Sequence, residues 1–328
     1  MVLLMSLINT FAYSNIHIYI GRGFDVIIKP GWTSTALLTV ALAIIGFGAV
    51  QGISALLRNY SVEFLAQRIE RDGRDELYSE LLGKSQTFLG RQRIGDIMAR
   101  ATNDVRMLNM MFSPGVMLIV DAFVGLVIPI TMIGLLYWKL LLVPLIFTVF
   151  LIITAYDYNR RLKPVSTEIR EQFGVMNAGL TDAIAGIEVV KANARERHER
   201  EKFAGTAGKY RDSFVKQGRI RARYLPMLVF SVFWGAAFFH GLYTWRSGAI
   251  SLGQAIGFFG LMTALKGPTF MSVFSFYLVQ LGLASGKRIL DLINTESEFD
   301  ENTAGRRAGI EGAVEFNKVN FAYEESPV

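Results

Sequence analysis

The chain has 328 residues, of which 52% are hydrophobic and 19% charged, and its mean hydropathy is +0.34. Soluble domains usually carry roughly 25% charged residues, so this much apolar surface predicts a membrane protein. The absence of cysteine excludes disulfide bonds and thiolate metal sites. The three histidines, His17, His198 and His240, do not have the spacing of metal ligands, and no metal site is predicted.

Positive charge is concentrated in two polar segments. The formal net charge is +6, and of 34 Lys and Arg residues nine lie within 58–106 and fifteen within 160–223. The short connections between the other apolar runs hold few cations. This asymmetry follows the positive-inside rule and places both segments in the cytoplasm. A nucleic-acid partner is not expected, because no basic stretch is interleaved with aromatic residues that would stack on bases.

Six apolar runs are long enough to cross a bilayer, and they predict six spans with both ends inside. A membrane helix is favoured over a signal peptide for the first run, because no positive residues precede it, and more chain is expected upstream of Met1. Trp138 and Lys139 mark a turn between the third and fourth spans. The runs are Met1–Gly21, Thr35–Leu57, two within Pro114–Tyr156, Tyr224–Trp245 and Leu252–Ala284.

Each polar segment predicts a long helical hairpin. Residues 58–113 contain no proline, and apolar residues recur at helical spacing there. In 165–205 an apolar stripe runs at intervals of three and four, namely Phe173, Met176, Leu180, Ile184, Ile187 and Val190. An arm of about 28 residues would reach roughly 40 Å beyond the membrane. Four such arms are expected to form a cytoplasmic bundle, because long polar helices need neighbours to pack on.

The last forty residues predict a linker followed by strands. Residues 295–312 are polar and contain glycine, which is typical of a linker. Alternating apolar positions then predict one strand at Val314 and Phe316, and a second at Val319, Phe321 and Tyr323. Since two short strands do not form a domain alone, we expect a sheet that has barely begun at Val328.

Four stretches together resemble the transmembrane domain of ATP-binding-cassette (ABC) exporters, and the resemblance covers essentially the whole chain. They are RDELYSELLGKSQTFLGRQRIGDIMARATNDV (74–105), MNAGLTDAIAGIEVVKANARE (176–196), LKGPTF (265–270) and GAVEFNKVNFAY (312–323). The first contains the family's pattern of Gly95, Asp96, Arg100, Asn103 and Asp104. The last is similar to the first strands of a nucleotide-binding domain.

The sequence departs from the family pattern in places. The family commonly has Phe-Phe-Asp at the first turn, where this chain has Phe88, Leu89 and Gly90. Ile94 stands where Thr is common, and Asp182 where Glu is common. The phosphate-binding loop G-x-x-x-x-G-K-[ST] does not occur in these residues, so ATP hydrolysis is not expected of this chain by itself.

The resemblance implies that the hairpin tips are coupling helices that dock on nucleotide-binding domains. The first tip is expected around Phe88 to Arg93 and the second around Leu180 to Gly186. Together the tips are predicted to combine an exposed aromatic residue, glycines and flanking charge. The implied coupling residues are Phe88, Leu89, Gly90 and Arg91 in the first tip, and Thr181, Asp182, Ala183 and Ile184 in the second.

Two further sites follow from the residues and the resemblance. Tyr323 is similar to the aromatic residue that stacks on adenine, so ATP with Mg is the implied cofactor. Lys266 lies deep in the sixth span and is followed by Gly267 and Pro268, which predict a kink. A cation there needs water or a partner, so it either faces a substrate cavity or bonds to the kink, and Asp121 is a candidate partner. Phe270 and Phe274 are assigned to the same cavity.

The expected fold is an all-α membrane protein with six transmembrane helices, two long cytoplasmic hairpins and a short incomplete β segment. Residues 1–290 are predicted to form the transmembrane domain, 291–312 a linker, and 313–328 the first strands of a nucleotide-binding domain. The implied function is the transmembrane half of an ATP-driven exporter of lipophilic or amphipathic substrates in a bacterial plasma membrane. Its expected partners are lipid, a second half-transporter, a nucleotide-binding domain and an unknown substrate.

Two alternatives stay open at this point. One is a non-enzymatic channel or scaffold that uses its cytoplasmic bundle to bind a partner. The other keeps the family but makes the chain an importer or a regulator. The long bundle and the linker that leads into strands favour the exporter.

Overall fold

The computed structural model describes residues 1–223, 226–295, 309, 312–320, 322–323 and 326–327. Nearly all of these residues are helical. The helices are α1 (Val2–Ile28), α2 (Ser34–Gly83), α3 (Gln86–Arg91), α4 (Ile94–Ala99), α5 (Val105–Met110), α6 (Met117–Leu136), α7 (Leu142–Ala185), α8 (Ile187–Ala192), α9 (Glu196–Arg223), α10 (Pro226–Arg246), α11 (Leu252–Ala264) and α12 (Lys266–Ile293).

Three helical stretches in the described part of the chain are long and apolar enough to cross a membrane: Ser34–Gly83, Ile94–Leu136 and Trp138–Ala185. The predicted total of six spans stays a prediction. Both α2 and α7 join an apolar half to a polar half without a break, so a span and a hairpin arm form one rod. The 50 residues of α2 extend over about 75 Å at the helical rise of roughly 1.5 Å per residue.

The helices α4, α5 and α6 follow one another through two wider, π-type turns, Arg100–Asp104 and Met111–Val116. The second turn contains Ser113 at φ −119° and ψ 103°, directly before Pro114. A proline disfavours helical geometry in the residue before it, so the axis kinks where the polar arm meets the apolar third span. The predicted turn at Trp138–Leu141 is a short 3₁₀ segment.

The apolar core lies among α6, α7, α10 and α11. Its largest buried side chains include Ile133, Phe147, Phe258 and Leu261. The helix α1 packs against α2, α6 and α11. Its contact with α11 is close at Gly21, where an added Cβ would lie 2.0 Å from the carbonyl oxygen of Gly253.

The two hairpins differ in what they pack on. The arm that contains α5 packs against α2 and α12, whereas α7 and α9 pack mainly on each other. In the second hairpin the rings of Phe173 and Tyr210 lie 5.6 Å apart, and Ser213 and Lys216 both donate to Glu168. The apolar stripe predicted for 165–205 therefore contributes to the seam between these arms, although Leu180, Ile184 and Ile187 are exposed.

The predicted strands at 314–316 and 319–323 are corrected in part. Residues 312–320 contain no strand, and the observed strands are β1 (Ala322–Tyr323) and β2 (Ser326–Pro327), paired antiparallel. The alternating apolar residues Val314, Phe316 and Val319 are exposed. A strand needs a hydrogen-bonded neighbour to form, and the described residues offer this segment none.

Candidate functional site

The first hairpin reverses through the short helix α3. Ser85 caps it, and its side chain accepts a hydrogen bond from the backbone N–H of Phe88 at 3.1 Å. Extended backbone at Lys84 and Gln92 separates α3 from the two arms. The tip predicted around residues 88–93 is confirmed as a chain reversal, with its short helix centred slightly earlier.

The expectation that Phe88 is an exposed aromatic at this tip is wrong. Its side chain is 8% exposed and packs in a cluster with Leu77, Val105, Ile289 and Leu292. Leu89 is half-buried against the same cluster, whereas Gly90 and Arg91 are exposed. Phe88 reaches this cluster because α12 lies beside the hairpin. The local sequence around Phe88 does not predict that packing. Phe88 therefore anchors α3 to α12, whereas Ile94, at the start of α4, is 79% exposed.

Hydrogen bonds reinforce this anchor. The ammonium group of Lys84 donates to the carbonyl oxygens of Ile293 and Thr295, each at 2.7 Å. Ile293 is the last residue of α12 and Thr295 lies just beyond it; helix C-termini leave acceptors unpaired and favour cations. The first tip is thus fastened to the C-terminal end of α12.

A half-buried ion pair joins α12 to the first hairpin. The guanidinium of Arg288 on α12 donates through Nε and Nη2 to the two carboxylate oxygens of Asp104, and Nη2 also donates to Ser285. Arg100 adds a bond to the carbonyl oxygen of Arg288 at 3.1 Å. Because Arg288 hydrogen-bonds it, the pKa of the Asp104 carboxyl is lowered from its ordinary value. The forked geometry fixes α12 against the first hairpin.

The second hairpin reverses a few residues later than predicted. The helix α7 ends at Ala185, α8 follows Gly186, and Ala194 takes a positive φ of 50° before α9 begins. The reversal therefore lies at 186–195, since the helix breaks at Gly186 and again at Asn193–Arg195. The predicted residues Thr181 to Ile184 form the last turn of α7, with Ala183 half-buried and the other three exposed.

This second tip carries an apolar surface, which we call the tip patch. Its members are Ile184, Ile187 and Val189, which are 63%, 45% and 67% exposed. The described residues that pack on α8 come from its own neighbours, α7 and α9. The aromatic residue of the first tip is therefore buried against its own chain, whereas the second tip presents three exposed apolar side chains.

The predicted kink in the sixth span is confirmed. The helices α11 and α12 meet at Leu265, and Pro268 packs so closely on Gly125 of α6 that an added Cβ there would lie 2.7 Å from the proline ring. Lys266 is exposed at the first turn of α12. The side chains of Phe270, Phe274 and Tyr323 lie outside the described residues, so their predicted roles stay predictions.

The predicted pairing of Lys266 with Asp121 is wrong. Asp121 instead accepts from Arg58 of α2 at 2.8 Å and from Ser6 of α1 at 3.0 Å. These contacts tie three helices together near the ends of the first and second apolar runs. Arg58 directly follows the second apolar run and Asp121 lies seven residues into the third, and charges in such places often pair with one another. A search for such pairs would have found this one.

Another contact was also missed. Asp25 of α1 accepts from the hydroxyl of Ser251 at 2.6 Å and from the backbone N–H of Gly253 at 2.8 Å. It thereby satisfies the N-terminus of α11, where a carboxylate is favoured. Together with the approach at Gly21, this bond fixes α1 and α11 to each other.

The aromatic side chains of α10 and α11 divide between two environments. Phe230 and Phe258 are buried in the core, and Trp234 stacks on Phe238 with ring centroids 5.7 Å apart. Phe239 is 73% exposed. Most of these rings pack helices together, which is their ordinary role in membrane proteins.

These features define an all-α, multi-pass membrane protein with long polar hairpins. A family model described as the ABC transporter transmembrane region matches residues 1–269. The chain therefore belongs to the transmembrane-domain family of ABC transporters.

Three relatives illustrate the similarity. An ABC transporter ATP-binding protein of Bacillus subtilis (strain 168), YknU, is 26% identical over 289 residues, covering 87% of this chain and 49% of that protein. An ATP-dependent lipid A-core flippase of Syntrophus aciditrophicus (strain SB) is 25% identical, covering 88% and 49%. A multidrug resistance-like ATP-binding protein, MdlA, of Buchnera aphidicola (subsp. Baizongia pistaciae) is 24% identical, covering 94% and 54%. The chain spans about half the length of these curated relatives.

Proposed function

We propose that the chain is the transmembrane half of an ATP-driven exporter that moves a lipophilic or amphipathic substrate by alternating access. The observation that carries this proposal is the tip patch, since apolar side chains at the end of a long polar hairpin need a partner surface. The partner that we infer is a nucleotide-binding domain. The names of the relatives, which include an ATP-dependent flippase and a multidrug resistance-like protein, support this choice.

A long hairpin helix can transmit a movement of its tip to its membrane end. In α7 the apolar span and the polar arm form one uninterrupted helix of 44 residues, which is about 66 Å long. A docked domain that moves the tip patch would move the membrane end of α7 with it. Such rocking of rigid helical bodies is an established route to alternating access.

The first hairpin has a different part in this proposal. Phe88, Lys84 and the Asp104–Arg288 ion pair attach it to α12, so the hairpin and α12 move as one body. The coupling roles proposed for Phe88, Leu89, Gly90 and Arg91 thus divide into anchoring by the first two and docking by the exposed pair. In the second hairpin, Thr181, Asp182, Ala183 and Ile184 would line the docking surface beside α8.

The remaining assignments complete the proposal. Residues 1–290 form the transmembrane domain, 291–312 a linker and 313–328 the first strands of the nucleotide-binding domain, with Tyr323 stacking on adenine. These residues lack a phosphate-binding loop, so ATP with Mg is assigned mainly to residues outside them. Two chains enclose a cavity that Lys266, Phe270 and Phe274 help to line, and both termini lie on the cytoplasmic side of a bacterial plasma membrane.

The test replaces an apolar residue of the tip patch by a charged one. Val189→Asp places a carboxylate on the patch, and Val175→Asp is the matched control, because Val175 is 50% exposed on the α7 arm but outside the patch. Each variant is reconstituted with the nucleotide-binding domains into proteoliposomes. We expect Val189→Asp to abolish the stimulation of ATP hydrolysis by the transmembrane chain, and Val175→Asp to retain it.

Circular dichroism and thermal unfolding of both variants in detergent control for folding. Equal stimulation of ATP hydrolysis by the unsubstituted chain, Val189→Asp and Val175→Asp would contradict the assignment of the tip patch as the docking surface. A chain that stimulates no ATP hydrolysis with any nucleotide-binding domain would instead favour the channel or scaffold.

A further inference from the structure

A groove of about 830 Å³ lies between α7 and α9, away from both tips. Four cationic side chains line it: Arg161, Lys216, Arg219 and Arg223. Its remaining surface includes the apolar side chains of Pro164, Val165 and Ile220, and the carboxylate of Glu168. The groove therefore combines an excess of positive charge with apolar walls.

Two of the four cations are already neutralised. Arg161 pairs with Asp157 at 2.9 Å, and Lys216 pairs with Glu168 at 3.0 Å. Hydrogen bonds from Lys216 and Ser213 lower the pKa of the Glu168 carboxyl, so this carboxylate stays ionised. Within the described part of the chain, Arg219 and Arg223 have no ion-pair partner. Two guanidinium groups therefore remain for an outside anion.

The groove lies close to the expected membrane surface. Arg161 follows the apolar run that ends at Tyr156 by five residues, and Arg223 precedes Pro226 by three. These separations correspond to about 7.5 Å and about 4.5 Å along a helix. The headgroup layer is roughly 5–8 Å deep on each side of the hydrocarbon core. Arg223 thus lies at the level of the lipid headgroups, and Arg219, seven residues before Pro226, lies about 10.5 Å from the span, just outside that layer.

We propose that this groove binds the phosphate-bearing headgroup of an anionic phospholipid. Planar guanidinium groups match phosphate oxygens in forked geometry, and the cytoplasmic leaflet supplies anionic lipid to basic pockets between helices. A free phosphate ion would use the same guanidinium groups, but the cytoplasmic leaflet holds anionic headgroups next to the groove, which favours the lipid.

The proposal shares only the orientation of the chain with the proposed exporter function. Lipid binding in detergent requires neither ATP nor a nucleotide-binding domain. A negative result for the exporter function therefore does not contradict lipid binding in the groove. A negative result for lipid binding does not contradict the exporter function.

The test measures lipid binding to the purified chain in a neutral detergent by native mass spectrometry. The probes are phosphatidylglycerol, phosphatidylcholine and inorganic phosphate. Arg219→Gln/Arg223→Gln removes the two unpaired guanidinium groups from the groove. Arg200→Gln/Arg221→Gln is the matched control, because it removes the same charge from α9 at positions that do not line the groove.

We expect phosphatidylglycerol to bind more tightly than phosphatidylcholine, and the groove variant to weaken that binding at least about tenfold, as expected for lost charge-assisted hydrogen bonds. The control variant is expected to change it less than about twofold. Inorganic phosphate that competes only at concentrations far above the lipid supports the lipid, whereas equal competition assigns the site to free phosphate and overturns it. An equal loss of phosphatidylglycerol binding in the groove variant and the control variant would show that general surface charge binds the lipid, and would overturn the proposal. If the lipid-free chain dimerises and the dimer no longer binds phosphatidylglycerol, the groove would be assigned to contact with a second copy of the chain, and the proposal would be overturned.

Discussion

Arg288→Gln and Asp104→Asn, singly and together, test whether α12 is fixed to the first hairpin. Each single variant removes a forked, charge-assisted contact, and Arg288→Gln leaves behind a carboxylate that is only 11% exposed. A desolvated contact of this kind is worth roughly 1.5–3 kcal/mol, whereas a fully exposed pair is worth about 0.2–1 kcal/mol. The Arg288 side chain is 49% exposed, so we expect a cost between these limits, about 1–2 kcal/mol.

Hydrogen–deuterium exchange of α3 and α5 measures this cost as a free energy of local opening. The double variant is expected to lose little more than either single variant, which gives a coupling energy of about 1–2 kcal/mol. Arg211→Gln and Asp212→Asn form the control cycle, because that pair is 72% and 69% exposed on α9. A coupling energy of Asp104 with Arg288 no larger than that of the control pair would refute the reasoning.

Three further predictions concern packing and pH. Gly21→Ala is expected to lower the thermal midpoint in detergent, because its Cβ would meet the backbone of α11 at 2.0 Å, whereas Gly46→Ala, with open space around it, is expected to be neutral. Phe88→Ala is expected to cost roughly 3 kcal/mol in the local opening of α3, measured by the same exchange experiment. The lowered pKa of Asp104 predicts that the ion pair contributes fully at neutral pH and that its contribution is lost as the pH falls below about 4. In the Asp104→Asn variant, the free energy of local opening should therefore not fall with the loss of this ion pair as the pH is lowered.

Local features of the fold were predictable from the sequence because their causes are local. The stripe that starts at Phe173 predicted the α7–α9 hairpin, and Gly267 with Pro268 predicted the break between α11 and α12. The turn at Trp138 was also found where aromatic and cationic residues interrupt an apolar run. In each case the signal and the structure lie within a few residues of one another.

Contacts between distant parts of the chain were not predictable in this way. Phe88 is buried because α12 lies beside it, about two hundred residues further along the chain. The link between Asp104 and Arg288 joins residues 184 positions apart, and both have ordinary polar neighbours in sequence. The wrong pairing of Lys266 with Asp121 has the same origin, since it assumed a proximity that only helix packing decides. For the same reason, the burial of Phe88 in the first tip and the exposure of Ile187 and Val189 in the second emerged only from the structure.

The exposed second tip is the feature on which the proposed function depends most. The most direct test is whether ATP moves the outer side of the protein through this tip. Because the chain has no cysteine, Trp32→Cys provides a unique spin-label site in the turn between α1 and α2. The distance between labels on two associated chains is measured by electron–electron double resonance in proteoliposomes that contain the nucleotide-binding domains. We predict that ATP with Mg shifts this distance, that Val189→Asp abolishes the shift, and that Val175→Asp retains it. A distance that is unchanged by ATP, or that responds equally in both variants, would contradict coupling through the tip patch.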